Sequence, residues 1–517
     1  MVYTINTECI ACDACRRQCP RQAIAAKGNR YYIDKHLCNN CLGYYPDPLC
    51  IIVCPTLHPV PLETDFSRKI KRRRCNWSNP ETPKLFPDGQ KNPVALSPVI
   101  WEACNILAQR DSLAWRTDED GKLFYGQKVR PGKGLLYFRL AENVENEPPR
   151  ILSGEAARQM LDLLDIRSAC MHLIYAAYAT ALERPWQQTF VIDDRAIATY
   201  LGLDKRKDLT RQAKLGLIKF IARQPCQLTN YIRSPSSKQV EAFTLEETRL
   251  WHLLSIEHHF SEDSFGNKHI IGLKFTIKAG SWARYFLNYQ GAKEKKAFYQ
   301  CGILPKSILD TVTSIWQQRE GAARMLLWLL FKIQQRKRAE IQVSTLMKVA
   351  YGEEKVRQAY FKRVQQKKQI ETFEKDLQVL SNCGWQPIFD VASYPPAIQP
   401  FWTESYLACD RSQTNFSLRQ KWQMLLNAKL LEFKFPLELE EALTNWQEER
   451  QQPTIPSELA GEQIMRARKN KGWSQRCLAE IMGKSQSWVR DVEHGRHGIN
   501  SAERERLKRI LGLSTTM

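Results

Sequence analysis

Apolar residues recur at helical spacing from Ser153 to Leu182 and again from Gly321 to Arg338, which predicts two long helices, each with one face buried. After each comes a smaller helical unit: IDDRAIATYLGLDKRKDLTRQAKLGLIKFIARQ follows the first, and AEIQVSTLMKVAYGEEKVRQAYFKRVQQKKQIETFEKDLQVL the second. Each pairs a short apolar helix with a longer basic one and leads into a strand-like run, HIIGLKFTIKAG in one case and WQPIFDVA in the other. Near the start, AIAAKGNRYYIDKHL reads as a helix end, a Gly28-Asn29 turn and a strand. Near the end, Ile464 and Ala467 mark one helix, Leu478, Ala479 and Ile481 a second, Val489 and Val492 a third, and Leu507, Ile510 and Leu511 a fourth. No apolar run approaches the roughly 18 residues of a membrane span. The densest, Met325 to Phe331, stops at Lys332.

Length and charge narrow the picture. A chain of 517 residues predicts roughly three to four domains at about 100–200 residues each. Its formal net charge of +21 favours a polyanionic partner, nucleic acid first and an anionic membrane surface second. Residues Arg68 to Arg74 place six positive charges in seven positions ahead of a Pro- and Asn-rich stretch, which reads as a flexible basic linker or a phosphate-contacting arm. The start, MVYTINTECIAC, lacks the pattern of a secretory signal, so a cytoplasmic location with reduced thiols is expected. No phosphate-binding GxxxxGK[ST] loop or GxSxG elbow is present, and GQKVRPGKG lacks the strand-turn-helix setting such loops need; no enzyme is expected.

The cysteines are the sharpest chemical signal. Eight of 16 lie in the first 54 residues, spaced C-x2-C-x2-C-x3-C-P for Cys9, Cys12, Cys15, Cys19 and Pro20, then C-x2-C-x8-C-x3-C-P for Cys38, Cys41, Cys50, Cys54 and Pro55. Three thiolates two residues apart wrap three corners of a cubane, while the fourth, before Pro, points to the other cluster. Two 4Fe-4S clusters are therefore expected, one held by Cys9, Cys12, Cys15 and Cys54, the other by Cys38, Cys41, Cys50 and Cys19. Paired zinc knuckles are the alternative, but they have no use for a third Cys two residues on in a run that ends before Pro. The first run matches the bacterial ferredoxin pattern. The eight residues between Cys41 and Cys50 make the second resemble the variant of nitrogen-fixation-associated ferredoxins. His36 and His58 flank the motifs as surface residues, and the other eight cysteines lie in no metal spacing.

At the other end, Ser474 and Ser485 stand as N-caps and Gly483 punctuates the turn between two short helices. The run WSQRCLAEIMGKSQSWVRDVEHGR resembles the phage-repressor-like (Cro/C1, XRE) helix-turn-helix domains. By that resemblance Ser485 to Glu493 is the recognition helix, with Gln486, Ser487 and Arg490 at base edges and Gln475 at a phosphate. Trp488 departs from the usual small polar residue and either touches thymine methyls or packs against Trp473. From Gly461 onward twelve Lys and Arg face six acidic residues, which suits a phosphate-bound module.

The order of helical units and strands in the middle also faintly resembles the tandem winged helices of plasmid replication initiators. The fold class expected is therefore a multidomain α+β chain: a ferredoxin-like module over 1–62, a linker over 63–98, a middle over 99–300 and 301–443 with winged-helix character, a linker over 444–460, and an all-α helix-turn-helix over 461–517. As a whole this architecture resembles the cyanobacterial transcriptional activators of the PatB/CnfR type. The resemblance implies an activator of nitrogen-fixation genes at low oxygen, sensing through its clusters, bound to double-stranded promoter DNA as a homodimer and working with RNA polymerase. An electron-transfer protein with a DNA-binding tail and a plasmid replication initiator are the alternatives.

Overall fold

The computed structural model describes residues 3–7, 9–28, 30–61, 82–129, 134–144, 148–237, 240–262, 268–334, 340–409, 416–434, 436 and 461–494, and helical positions 503, 506, 507, 510 and 511. The basic run Arg68 to Arg74 and the linker over 444–460 lie outside the described residues. The chain divides into two compact units, Met1–Pro436 and Leu437–Met517.

The first unit opens with a small two-fold repeat. Strand Tyr3–Ile5 pairs antiparallel with Pro59–Pro61, strand Ile24–Lys27 pairs with Arg30–Ile33, and helices Ala14–Arg17 and Leu49–Val53 sit between. Ile24–Lys27 corrects the helix end expected there. Alanines are neutral enough that the hairpin turn at Gly28, with φ of 61°, and the partner strand decide the local structure.

The segment expected to be linker is ordered in its second part. Leu85 and Phe86 are buried, and Lys91–Ala95 pairs antiparallel with Cys301–Pro305, so one sheet joins residues on both sides of the expected 300/301 boundary. Helix Pro98–Gln109 follows, capped by Ser97, whose Oγ accepts from Ile100 N at 3.2 Å with Pro98 opening the first turn.

The long helix expected from Ser153 is two helices, Gly154–Leu163 and Arg167–Thr180. The second is buried on every side, not one, because it runs through the centre of the unit: Trp251 packs on its His172 and Tyr175, and on Phe190 and Trp282 beyond. The other expected helix is present as Glu320–Gln334, but Gly321 to Leu327 are all buried, so it too is enclosed on every side and not on one face, and residues 335–338 of the expected span lie outside the described residues. No helix among the described residues is long and apolar enough to cross a membrane.

Each of these two core helices begins a similar, though not identical, succession of a strand, helices and closing strands, with other elements between. After Arg167–Thr180 come strand Thr189–Asp193, helices Asp194–Tyr200 and Arg211–Arg223, and the hairpin Trp251–Glu262 and Lys268–Ala279, with the first strand pairing the last. After Glu320–Gln334 come strand Ile341–Gln342, helices Val343–Tyr351, Glu353–Phe361 and Arg363–Asn382, and strands Gln386–Phe389 and Lys429–Lys434, again with first pairing last. In the first, the buried Asp194 holds the parts together: it pairs with Arg211 and accepts from Leu273 N at 2.7 Å. A five-stranded sheet, in the order Phe243–Arg249, Leu228–Ser234, Gly134–Leu140, Leu123–Val129 and Arg116–Thr117, is built beside it.

The second unit contains helices Gly461–Asn470, Gln475–Met482 and Gln486–Glu493 and the helical positions near the C-terminus. Ile464, Leu478, Ala479, Met482, Val489, Val492, Leu507 and Leu511 form its core. Ile481 was expected there and is instead exposed: Leu478, Ala479 and Met482 fill the inward stripe of this eight-residue helix, and Ile481 falls at its margin.

Candidate functional site

The Cys12, Cys15, Cys41 and Cys50 thiols lie close enough to others of the eight N-terminal cysteines to feel their charge, mostly within the expected sets, with Cys50 also feeling Cys15 of the other set. The Cys12 and Cys15 thiols each feel Cys9 and Cys54 as neighbouring negative charges, while Cys41 feels Cys19 and Cys38, and Cys50 feels Cys41, Cys38, Cys15 and Cys19. Burial, then this mutual repulsion, pushes the Cys15 thiol up to about 12 and Cys50 well above the ordinary range. Cys15, Cys50 and Cys54 are buried, Cys12 is exposed and the other four are half-buried, and sulfur donors gathered in this way are those a polynuclear iron centre takes. Cys19, Cys38, Cys41 and Cys50 line a cavity closed by Tyr3, Ile24, Ile33 and Pro48. Among the described residues no three Cys, His, Asp or Glu side chains converge on a single-ion position.

The backbone is shaped around the same thiols. Ala11 and Asp13, which flank Cys12, and Asn40 and Cys41 in the second motif all have left-handed φ between 53° and 62°. Such conformations cost on the order of 1 kcal/mol or more each for non-glycine residues, and persist where the surroundings over-determine them. Ala23 N donates to Cys19 Sγ at 3.3 Å and His58 N to Cys54 Sγ at 3.4 Å, the kind of N–H···S contact that tunes an iron–sulfur centre. These features fit the residues to the group.

Lys219 is a buried residue at this site that sequence reasoning missed. On the Arg211–Arg223 helix it is 0% exposed, and its Nζ donates to Ile52 O at 2.6 Å, to Ile51 O at 3.4 Å and to His258 Nε2 at 3.0 Å. Those carbonyls end the helix that carries Cys50 and leads into Cys54. Burial first, then the Lys219 charge, drives His258 down to about 3, so it stays neutral and accepts. One turn back, a Cβ on Gly216 would lie 2.3 Å from Thr56 O. Lys268 pairs with Asp47 at 2.8 Å, and Tyr3 Oη donates to Lys268 O at 2.9 Å. The cysteine module is thus seated on the Arg211–Arg223 helix and the following hairpin. A lysine on a basic helix carries no sequence mark of burial.

In the C-terminal unit Ser474 and Ser485 cap as expected: Ser474 Oγ accepts from Cys477 N and Ser485 Oγ from Trp488 N, both at 3.1 Å. Gly483, left-handed at φ 66°, turns the chain between the two helices. Ser485, Gln486, Ser487 and Arg490 are exposed along one stretch of the Gln486–Glu493 helix. Trp488 is half-buried against the core, as is Trp473, with the Lys484 ammonium 5.4 Å from its ring. Gln475, expected at a phosphate, donates through Nε2 to Glu493 at 2.8 Å. Glu493 in turn holds Arg468 through two hydrogen bonds of 2.5 and 3.0 Å, and Arg468 reaches Trp473 O at 2.6 Å. Burial would raise the Glu493 carboxyl, but the hydrogen bonds from Arg468 and Gln475 outweigh it and hold it below the usual range.

With this geometry in view, the N-terminal module is an iron–sulfur module of the ferredoxin kind. It is 44% identical over 55 residues to Ferredoxin-2 of Chlorobaculum tepidum, a match covering 11% of this chain and 89% of that protein. The ferredoxin-like protein in the nif region of Bradyrhizobium diazoefficiens is 37% identical over 51 residues, 10% of this chain and 69% of the relative. Its counterpart in Nostoc sp. (strain PCC 7120) is 43% identical over 58 residues, 11% of this chain and 50% of the relative. Through these N-terminal residues the chain belongs to the ferredoxin family, and the kinship implies iron–sulfur clusters at its N-terminus. No family model matches the chain. Among solved structures, RctB domains 2-3 superpose over 53% of this chain and 83% of theirs with a TM-score of 0.28 and 11% identity, too low a score to define a shared fold.

Proposed function

We propose that this chain is a cytoplasmic DNA-binding transcriptional regulator that depends on iron–sulfur clusters, and an activator of nitrogen-fixation genes at low oxygen. Cys9, Cys12, Cys15 and Cys54 hold one 4Fe-4S cluster and Cys38, Cys41, Cys50 and Cys19 the other. The helix Gln486–Glu493 reads duplex DNA, with Gln486, Ser487 and Arg490 at base edges, Trp488 at the rim and Ser485 and Gln475 near the backbone. The observation that carries the reading is the pairing, in one chain, of a ferredoxin-like module bearing eight cysteines with a capped helix whose exposed residues are hydrogen-bonding and cationic. The names of the relatives in nif regions support the link to nitrogen fixation.

When bound, the clusters supply the thiolate bonds that order a module with little apolar core of its own, and a centre sensitive to oxygen. The chain's residues supply the rest. Lys219, Gly216 and Lys268 seat the module on the middle of the first unit, so its folding and that of the Arg211–Arg223 helix are coupled. Arg468, Glu493 and Gln475 set the angle of the DNA-reading helix. The two successions, each a core helix, a strand, two or three helices and closing strands, are read as winged helices. A homodimer on a two-fold operator, in contact with RNA polymerase, completes the proposal.

Cys12→Ser and Cys41→Ser test it in living cells with a promoter reporter under low oxygen. Both should abolish activation while residues 437–517 alone still bind DNA. Full activation by either variant would defeat the reading. An electron-transfer role is the second reading, favoured by the ferredoxin kinship; it predicts that Arg490→Ala leaves the protein's function intact.

A further inference from the structure

We propose that the corner between helices Glu353–Phe361 and Arg363–Asn382 is a second surface for duplex DNA, besides the Gln486–Glu493 helix. The proposal rests on the reading that this chain binds DNA.

The corner is fixed and presents an unusual outside. The two helices meet at Lys362, in extended conformation. The buried Gln366 side chain donates to Tyr360 O at 3.0 Å, and Gln369 donates to Lys355 O at 2.9 Å, tying one helix to the other. Outward, Phe361 is 79% and Val364 81% exposed, and Tyr360, with its ring edge-on to Phe361 at 5.4 Å, is 42% exposed. A single exposed apolar side chain is ordinary. Three within five residues on a braced corner are not.

Cations surround them. Lys355, Lys362, Arg363, Lys367 and Lys368 are exposed. Of the nearby acids, Glu354 pairs with Arg357 at 2.6 Å, Glu353 with Lys348 at 2.9 Å, and Glu371 with Lys367, one of these cations, at 3.9 Å. Among the described residues Lys362, Arg363 and Lys368 have no ion-pair partner. Unpaired cations interleaved with exposed aromatic and aliphatic tips complement a nucleic-acid duplex: the charges meet phosphates, and the apolar tips meet sugars and base edges.

In the earlier succession the corresponding helix, Arg211–Arg223, has Gly216 against Thr56 and Lys219 sealed beneath the cysteine module, so that surface is occupied. In the later succession the corner at the start of the corresponding helix is left to solvent.

The test uses the anaerobically purified full chain, a duplex of random sequence, and binding measured across a range of salt concentrations. The triple variant Lys362→Gln, Arg363→Gln, Lys368→Gln should lower the salt slope by about 2–3, roughly one per phosphate contact, and weaken binding tenfold or more at moderate salt. Phe361→Ala should weaken binding severalfold with the slope unchanged. Gln486→Ala with Arg490→Ala should leave a corner-dependent, salt-sensitive residual binding. If the triple variant, with an unchanged melting profile, keeps the wild-type slope and affinity, the corner is overturned while DNA binding by the chain stands. If the wild-type chain binds no duplex at any salt, the DNA reading itself fails, and this proposal with it. A triple variant that changes only self-association, or only binding to anionic vesicles, overturns the DNA assignment of the corner.

Discussion

Lys219 Nζ donates at 2.6 Å to the carbonyl of Ile52, which lies two residues from Cys50 and two from Cys54, one thiol of each set. A fully buried ammonium therefore fixes the backbone between Cys50 and Cys54. Lys219→Met keeps the stem and removes the donor, leaving buried carbonyls unsatisfied at a cost of about 1–3 kcal/mol. Thermal unfolding of the anaerobic protein, followed by the visible absorption of its clusters, should shift to lower temperature. An unshifted transition would remove Lys219 from the seat.

Gly216→Val probes the same seat sterically. Its Cβ would meet the Thr56 carbonyl at 2.3 Å, and backbone cannot yield as a flexible side chain can. The module should be displaced, and limited proteolysis should cleave near residues 56–61 faster than in the wild type. An equal rate would show that the helix tolerates the added bulk.

The Arg468–Glu493 pair is buried, at 8% and 0% side-chain exposure. Glu493→Ala strands a buried guanidinium, and removal of one partner of such a pair costs about 3–5 kcal/mol. In a unit this small, circular dichroism of residues 437–517 should show loss of most helix at room temperature. Retention of a cooperative melt near the wild-type temperature would contradict the assignment.

Arg490→Ala should cost about 1–3 kcal/mol at one base position and relax selectivity there, whereas Ser485→Ala, which removes the bond to Trp488 N, should cost about 1 kcal/mol of stability. Competition binding against single-base operator variants separates the two. Uniform weakening by Arg490→Ala at every position would make it a phosphate contact instead.

His172 sets an acid limit. Its Nδ1 accepts from Trp251 Nε1 at 2.9 Å and its Nε2 donates to Ile100 O at 3.0 Å, so the ring is neutral, and burial depresses it to about 4 from an ordinary 6.5. The unfolded chain therefore binds the extra proton first. This contribution to stability is complete above about pH 6.5 and is lost as pH falls toward about 4, at about 1.4 kcal/mol per pH unit. Denaturant midpoints of the Met1–Pro436 unit should fall over that window, and less steeply in His172→Gln. A steeper loss in the variant would contradict this origin.

What could be read from the sequence was local. Cysteine spacing declares the ferredoxin-like module because ligand wrapping depends on a few successive residues, and Ser474 and Ser485 declare their caps because a cap needs only its own first turn. Long-range pairing left no such mark. Lys219 looks like any cation on a basic helix until the Leu49–Val53 helix is brought against it. The bond from Gln475 to Glu493 is likewise invisible in the sequence, because its partner lies eighteen residues on and on another helix. The strand Lys91–Ala95 contains Pro93 and reads as linker, yet its partner Cys301–Pro305 lies two hundred residues away and supplies the pairing.

The most direct test is metal analysis of the DNA-bound protein. The full chain, purified without air, is passed over a library of genomic fragments, and the retained complexes are sequenced and assayed for iron, acid-labile sulfide and zinc. The account predicts one enriched two-fold sequence and about eight iron atoms with matching sulfide per bound chain, as two 4Fe-4S clusters require. Zinc in place of iron, or retention with no enriched sequence, would contradict it.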